Sequence, residues 1–430
     1  MRIGTGALLI ALACGATHAA EAQLLDALLP QGVPGYGTEP GVTVVSRARP
    51  DTEPPGIHAG AFLLHPSIAE AIGFDDNVLG GAARQGSAFV ETQPSLLVGS
   101  GWSRDAIGLY VSADDRRDLE AAGQDRTDWT VSLGSAVDVG TDRLTLAAAH
   151  FSNHQDRTEQ DALPTDRPVA FQVNDTRAAY AWNAGRWTLT PGLEASSWHY
   201  DPTTVLGVPV NQNYRDRNVL QGDMTAAYEL APLRSLLLVA RGIGQHYTTP
   251  AAGQPRLDST GMQLLAGLDY DAGAVWRLRL LAGAEHRAFA AFPAQTAAIA
   301  EAELAWQPTG MTTVALTLNR SIEDAAQEGV AGFTSTSARL TLDHELRRDV
   351  LLHVATGLQH ADFPQTGARQ DAYTFDAGAT WLASRYVRLT ATYDLTAQQG
   401  GAVSTLPASG LPLSGSYTRN QAMLTLRLAL

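Results

Sequence analysis

Residues Tyr417–Leu430 read YTRNQAMLTLRLAL, and this stretch decides the fold class. Leucine recurs at every second position from Leu424 onward, whereas residues such as Thr425 and Arg427 lie between. A period of two with large apolar side chains on one face predicts a β-strand that separates two different solvents. Because a closed barrel pairs its last strand with its first, we expect this segment to close an outer-membrane barrel.

The same alternation continues through the chain from His58. Val387 and Leu389, for example, face one way, and Arg388 and Thr390 face the other. Very short turns alternate with longer polar loops, which suits a barrel with short periplasmic turns and long extracellular loops. The number of connections predicts an all-β, antiparallel transmembrane barrel of about eighteen strands. The longer loops are predicted near residues 76–87, 115–126, 153–169, 201–214, 248–258, 290–295, 323–332, 362–370 and 397–416.

Composition narrows the function classes. The chain has 430 residues and a formal net charge of −14, and all 30 of its basic residues are arginine. An acidic balance of this size argues against nucleic acid as a partner. The sequence has no run of about twenty apolar residues, so no spanning helix is predicted. Mean hydropathy is −0.09, which is unremarkable for alternating barrel strands.

The N-terminus has the pattern of a secretory signal peptide, predicted at residues 1–22. Arg2 precedes an apolar run at residues 7–13, and small residues follow, so cleavage is expected between Ala20 and Ala22. Cys14, the single cysteine, leaves a lipoprotein anchor open as an alternative. Cleavage downstream of Cys14 would leave a mature chain that can form no disulfide.

Residues 23–57 differ from the remainder of the chain. They are rich in proline and glycine, as in the segment 49–55, and this composition is typical of turns and linkers. One short helix fits residues 23–29, where Pro30 would end it. We interpret residues 23–57 as a periplasmic leader or plug lying against the mouth of a barrel formed by residues 58–430.

Tryptophans mark one end of the predicted barrel. Indole rings favour the lipid–water interface, so tryptophans beside the short turns indicate an inner aromatic girdle. The alternative is that they fill the core of a soluble β-sandwich, whose strands also alternate. The five residues concerned are Trp102, Trp182, Trp187, Trp306 and Trp381.

The polar face of the strands carries many ionisable groups. An uncompensated charge in a dry core costs several kcal/mol, so these groups need water or partners. A barrel of about eighteen strands has an aqueous interior and supplies that water.

Six charged residues form the sharpest candidate site, a charge ladder across three lumenal strands. With a turn centred on Gly273, Asp269 would lie opposite Arg277. Alternating acid and arginine would set a transverse field that orients polar solutes. The alternative is a ladder that only stabilises the barrel wall. Its members are Asp269, Asp271, Arg277, Arg279, Glu301 and Glu303.

Evidence for catalysis is weak. The histidines are scattered, and no nucleophile, base and orienting acid stand at a recognisable spacing. No HExxH, CxxC or phosphate-binding glycine loop is present, so we predict neither a cofactor nor a metal. Asp75, Asp76 and Asn77 have oxygen ligands that suit calcium, but the remainder of a calcium loop is missing. A barrel-embedded hydrolase remains the least favoured interpretation.

Three short motifs carry a family resemblance: GAFLLHPSI at residues 60–68, GFDDNV at 73–78 and TQPSL at 92–96. With them, the sequence from His58 onward resembles the β-barrel porin 2 family, whose first strand, with F-x-x-x-P, leads to (Y/F)-D-D-N at a loop edge. Phe74 stands where tyrosine is common. The resemblance implies an outer-membrane porin, and some members accompany exopolysaccharide synthesis and export operons. For Asp75, Asp76 and Asn77 we expect a role in structuring the loop, with the asparagine capping a turn.

We therefore expect a water-filled conduit in the outer membrane of a Gram-negative bacterium. Its partners would be outer-membrane lipid, a polysaccharide or small hydrophilic solute, and the polysaccharide export machinery. Polysaccharide export is the favoured function and general diffusion of small solutes is second. A structural or adhesive surface barrel with a blocked lumen is the competing class. In that class the inward-facing Leu237, Leu265 and Leu281, together with residues 23–57, would fill the lumen.

Overall fold

The computed structural model describes residues 33–36, 43–159, 161–250, 253, 255–272, 275–326, 330–401 and 415–430. The predicted signal peptide, residues 1–22, and the predicted helix at 23–29 lie outside the described residues. No helix in the described part of the chain is long and apolar enough to cross a bilayer.

Strands account for most of the described chain. In order they are β1 Ile57–Ala59, β2 Phe62–Asp75, β3 Ser87–Ser100, β4 Ala106–Asp118, β5 Arg126–Val139, β6 Asp142–Gln155, β7 Val169–Ala184, β8 Trp187–Tyr200, β9 Thr203–Val205, β10 Val208–Val210, β11 Arg217–Ala231, β12 Arg234–Tyr247, β13 Ser259–Asp271, β14 Trp276–Phe289, β15 Gln295–Thr309, β16 Thr312–Glu323, β17 Phe333–Arg347, β18 Val350–Phe363, β19 Ala368–Trp381, β20 Val387–Gly401 and β21 Tyr417–Ala429. Two short 3-10 turns lie at Ala122–Gln124 and Asn213–Arg215.

The last strand closes the barrel against the first long strand. β21 pairs antiparallel with β2 from Ser67↔Ala429 to Asp75↔Gln421, and every other long strand pairs with its neighbours in the chain. The main sheet has 19 described strands. The three-residue β1 pairs only with β2, so the other eighteen strands form the ring. β9 and β10 form a separate hairpin in the loop between β8 and β11. The prediction of a closed antiparallel barrel of about eighteen strands is confirmed.

The connections alternate as predicted. Tight turns such as residues 140–141 and 232–233 lie at one end, which is the periplasmic end in barrels of this kind. The described parts of the nine predicted loops lie at the opposite end, although the segments 290–294 and 364–367 are shorter than a long loop. The predicted loop at 397–416 lies mostly outside the described residues.

The alternation of side chains fixes which face points outward. Leu264, Leu316 and Leu389 lie on the outer face, and the first two are 58% and 36% exposed in the isolated chain. Their neighbours Thr317 and Thr390 lie on the inner face. Lipid contact explains why so many large apolar side chains remain uncovered on one face.

Candidate functional site: the barrel lumen

The inner wall in the periplasmic half of the barrel is charged and open. Glu303 of β15 and its cross-strand partner Thr317 of β16 are both exposed on the inner face. Leu316, the residue before Thr317, is exposed on the outer face. A soluble sandwich buries one face of each sheet, whereas these strands are accessible on both faces. The arrangement is that of a wall between lipid and a wet interior.

The six residues of the predicted charge ladder lie on neighbouring strands, but the predicted register is wrong. Asp269 lies opposite Arg279, and Asp271 lies opposite Arg277. The backbone of Ala272 bonds to that of Trp276, so the turn extends beyond the predicted centre and each partner shifts by two residues. Gly273 itself lies outside the described residues.

The shift places unlike charges in one row. Arg279 also faces Glu303 across the next strand pair, so an acid, an arginine and an acid stand side by side on β13, β14 and β15. Within the described residues, however, Asp269, Arg279 and Glu303 form no ion pair. Glu301 pairs instead with Arg241, two strands further round.

The Arg241–Glu301 pair spans an apolar patch on the inner wall. Leu237, Leu265 and Leu281 point inward, as expected, and are buried. Gly267 and Gly283 alternate with these side chains across the strands. A Cβ at either glycine would overlap a backbone carbonyl of the neighbouring strand, so only glycine fits at these two positions. The patch covers only part of the wall and leaves Glu303 exposed.

Part of the N-terminal segment lies inside the barrel. Val33 and Tyr36 are buried in a cluster with inward-facing side chains of β6, β7 and β8. The Tyr36 hydroxyl donates at 3.1 Å to Oδ1 of Asp175 on β7, five strands round the barrel from β2. Gly134 on β5 meets Pro34 so closely that a Cβ there would overlap the Pro34 carbonyl oxygen.

A second stretch of this segment follows the periplasmic end of the inner wall. The backbone of Val44 donates to Thr313 Oγ1 at 2.9 Å. Arg47 and Arg49 both pair with the Glu345 carboxylate on β17, the latter at 2.8 Å. Val44, Arg47 and Arg49 therefore contact β16 and β17, Gly56 lies beside β2, and residues 33–36 lie against β5 to β8.

An extracellular loop folds into the opposite end of the lumen. The Tyr417 hydroxyl of β21 donates to the Thr158 carbonyl at 2.8 Å. The backbone of Asp161 donates to Gln370 of β19 at 3.3 Å, and its carboxylate accepts from the backbone of Ala326. Leu163 packs in a buried cluster that includes Phe333 and Phe363. The loop of residues 156–168 thus crosses much of the mouth, which the alternation of the strands did not predict.

Two carboxylates in this loop have opposite pKa shifts. Burial, followed by the nearby Asp156 carboxylate, raises the pKa of Glu159 to about 8. Burial also opposes ionisation of Asp156, but Arg419 and Arg126 outweigh it and lower the pKa of Asp156 to about 2. Near neutral pH the loop therefore holds one neutral acid and one carboxylate paired with arginines.

Comparison with known families matches residues 49–429 to the model described as "Putative beta-barrel porin 2". The chain belongs to this family. It is a porin-like barrel of the Gram-negative outer membrane. The family match covers both the barrel strands and the Arg49–Glu345 contact of the N-terminal segment.

Among solved structures, the chain is similar to the outer membrane protein opdK from Pseudomonas aeruginosa, with 10% identity, 85% of this chain and 99% of that chain covered, and a TM-score of 0.45. OccK2 (OpdF) from the same organism has 13% identity, coverage of 85% and 98%, and a TM-score of 0.45. The siderophore receptor PiuA from Acinetobacter baumannii has 9% identity, coverage of 87% and 82%, and a TM-score of 0.47. The search of curated proteins found no match.

The family motif Asp75-Asp76-Asn77 joins the first loop to the last strand of this porin. The Asp76 carboxylate accepts from the backbone and side chain of Asn420, both at 2.7 Å. The Asn77 side chain donates to the Thr418 carbonyl at 3.1 Å and closes the loop onto Gly81. Each contact lies within hydrogen-bonding distance.

All five tryptophans of the predicted girdle point outward near the short turns, with exposures from 36% to 50%. Trp276 belongs with them, because it stacks on Trp306 at 5.2 Å, and the sequence analysis missed it. Its position beside the turn after β13 was the available signal. Trp198, by contrast, is buried on the inner face against Phe171.

Two of the scattered histidines have a carboxylate or an amide as partner. His199 bonds to Asp216 at 2.9 Å and His150 to Asn174 at 2.8 Å. Within the described residues, no histidine ring forms a hydrogen bond with a serine hydroxyl, which nucleophilic catalysis by serine would need. In the same residues, no group of three His, Cys, Asp or Glu side chains is placed to hold a metal ion.

Proposed function

We propose that this porin conducts hydrophilic solutes through a lumen that its own N-terminal segment narrows. The observation that carries the proposal is the pair of accessible faces at β15 and β16. Glu303 and Thr317 are exposed inside, and Leu316 is exposed outside. An ionisable wall facing inward is favourable only in contact with water or partners. Catalysis is not part of the proposal.

The cargo that we propose is a polysaccharide on its way out of the cell, with the export machinery as partner. This choice rests on the family resemblance and not on a sugar site in the lumen. A chain of sugars would need the loop of residues 156–168 to move outward, because its contacts with Gln370 and Tyr417 cross the mouth. Small solutes would need a smaller opening.

We propose further that the predicted segment of residues 23–57 acts as an internal plug, held through its residues 33–36 and 43–56. Three anchors support this role: Tyr36 on Asp175, Val44 on Thr313, and Arg47 with Arg49 on Glu345. The arginine anchor is electrostatic, with the Glu345 carboxylate largely buried and shared by two guanidinium groups. Without that carboxylate, Arg49 would lose its contact with the barrel wall, and Arg47 would keep only the carbonyl of Gly310.

A structural or adhesive barrel with a blocked lumen is the second candidate. The observation that favours it is the loop of residues 156–168, whose Leu163 is buried against Phe333 and Phe363. With the plug below and this loop above, a barrel of this kind would carry no current.

Conductance in planar bilayers separates the two candidates. We expect Glu345→Gln, which releases the arginine anchor, to raise the mean conductance several-fold, because freed plug residues obstruct less of the cross-section. Glu303→Gln is the matched control: it also removes one inner-wall carboxylate but does not touch the plug. The wild type, Glu345→Gln and a chain without residues 23–56 could all show no conductance. That result would refute conduction and establish the blocked barrel.

Cargo size can be tested in the same preparation. Proteoliposomes loaded with neutral oligosaccharides of increasing length would release only short ones through a diffusion porin. Release of long chains, by the wild type or after removal of residues 23–56, would support polysaccharide passage. A sharp cut-off at small sugars in both preparations would overturn the polysaccharide proposal and leave general diffusion.

A further inference from the structure

Two arginines face each other on the inner wall near the periplasmic end. Arg388 of β20 and Arg427 of β21 are direct cross-strand partners on the same face. Side chains opposed in this way have Cβ atoms about 5 Å apart, and like charges in that position destabilise a sheet. An arrangement of this kind needs a compensating negative charge.

The described residues supply little of that charge. Arg427 donates from Nη2 to Ser67 Oγ at 3.0 Å, while its Nη1 is buried and makes no hydrogen bond. No carboxylate in the described part of the chain forms an ion pair with either arginine. Glu53 of the N-terminal segment acts on Arg388 from a longer distance, and it already accepts from the backbone of Arg49 at 2.7 Å.

The surroundings add further donors. Arg49 is the other charged group of the N-terminal segment that acts on Arg388. His65 lies on the inner face of β2, close enough to be influenced by Arg427, and its Nδ1 is buried without a hydrogen-bond partner. Tyr110 on the inner face of β4 is close enough to interact electrostatically with Arg427. The inner wall formed by β2, β20 and β21, next to the N-terminal segment, is therefore rich in hydrogen-bond donors and cations.

We propose that Arg388 and Arg427 form an oxyanion-binding site in the periplasmic half of the lumen. The ligand is a phosphate or a carboxylate group, because a planar guanidinium binds either through two parallel N–H donors. A bound oxyanion lies between the two guanidinium groups, accepts from Arg427 Nη1 and removes their mutual repulsion. The consequence for transport rests on the proposed function: anionic solutes concentrate at this site before they pass the plug.

Binding can be measured without conduction. The detergent-solubilised full chain is heated in chloride, in inorganic phosphate, in glucuronate and in neutral glucose, at constant ionic strength. We expect phosphate or glucuronate, but not glucose, to raise the melting temperature in a saturable manner, since a ligand that binds the folded state stabilises it. The stronger of the two anions identifies the preferred group.

Variants assign the effect to these residues. Arg388→Gln and Arg427→Gln should each raise the anion concentration at half-saturation about ten-fold, which is equivalent to the loss of one charged hydrogen bond. Arg277→Gln with Arg279→Gln is the matched control, because those two arginines face carboxylates across β13 and β15. Arg388→Glu serves as a second variant that should fold well, since it replaces a repulsive pair by an attractive one, and it should abolish the anion effect.

Two results would overturn the site. One is a wild-type melting temperature that does not respond to phosphate or glucuronate beyond chloride. The other is an equal loss of the response in the Arg277/Arg279 control, which would indicate general lumen electrostatics. Either result leaves the conductance test of the proposed function intact, so failure of the site and failure of the channel are distinguishable.

Discussion

Arg419 of the last strand donates to Oδ2 of Asp75 in the first long strand, from Nε at 2.8 Å and from Nη2 at 2.6 Å. Asp75 is fully buried, and Arg116 of β4 approaches the same oxygen at 3.5 Å. The seam where the barrel closes is thus joined by a buried ion pair in addition to the backbone ladder. This contact explains the structural role of Asp75, the first aspartate of the motif.

Replacing Asp75 by asparagine should destabilise the barrel by about 3–5 kcal/mol, because the buried Arg419 would lose its closest carboxylate and keep only the more distant Asp156, at 3.8 Å. Urea unfolding from lipid vesicles, followed by tryptophan fluorescence, measures the change. Asp115→Asn is the control, since Asp115 pairs with Arg117 at an exposed site, where loss should cost about 0–1 kcal/mol. Equal stability of Asp75→Asn and the wild type would show that the seam does not depend on this pair.

The sequence was sufficient to predict the wall. Val387, Leu389, Arg388 and Thr390 alternate between lipid and lumen because a strand has a period of two and the two faces meet different solvents. The same pattern placed the closing strand, the loops and the number of strands. These properties depend on local chemistry, which a single sequence records.

Register and long-range contacts were not predictable in the same way. The predicted register pairs only Asp269 with an arginine, whereas the observed one pairs both Asp269 and Asp271, and the length of the turn decides between them. The inward loop depends on Leu163 meeting strands on the far side of the barrel. One signal was available: phenylalanines on the water-facing side near the loops, as at Phe333 and Phe363, need an apolar cover.

Opposite faces of one strand should respond differently to a charge. Leu316→Arg places a cation in lipid and should cost about 2–4 kcal/mol if the site lies near the midplane. Thr317→Arg points into the lumen near Glu303 and should be far milder. Folding free energies in vesicles measure both changes, and equal damage on the two faces would refute the assigned orientation.

The inward loop should loosen as pH rises. The pKa of Glu159, raised to about 8, means that the packed loop favours the protonated acid. Its stabilising contribution is complete below the ordinary pKa of about 4.5 and is lost as pH rises through 8. The paired Asp156, whose pKa is lowered to about 2, contributes in the opposite sense and matters only in strong acid.

Limited trypsin cleavage at Arg157, within this loop, reports the change. At pH 9 the wild type should be cut about ten-fold faster than Glu159→Gln, which remains neutral and retains the packed loop. At pH 6 the two proteins should be cut at similar rates. Since both are compared at each pH, the pH dependence of the protease cancels. Identical rates at pH 9 would exclude Glu159 as the group that loosens the loop.

A single added methyl group can test whether the N-terminal segment obstructs the lumen. Gly134 lies on the inner face of β5, where a Cβ would overlap the Pro34 carbonyl oxygen and lie 2.8 Å from Cγ1 of Val33. β5 is fixed by full ladders to β4 and β6, whereas residues 33–36 have few anchors, so Gly134→Ala should displace the segment and not the strand. Conductance should rise, and the free energy of unfolding of the barrel should stay almost unchanged.

Gly99→Ala is the control on the same face, since a Cβ there meets nothing within 4 Å. If Gly134→Ala instead lowered barrel stability and left conductance as it was, the segment would be part of the wall, and the passage would have to run elsewhere in the lumen.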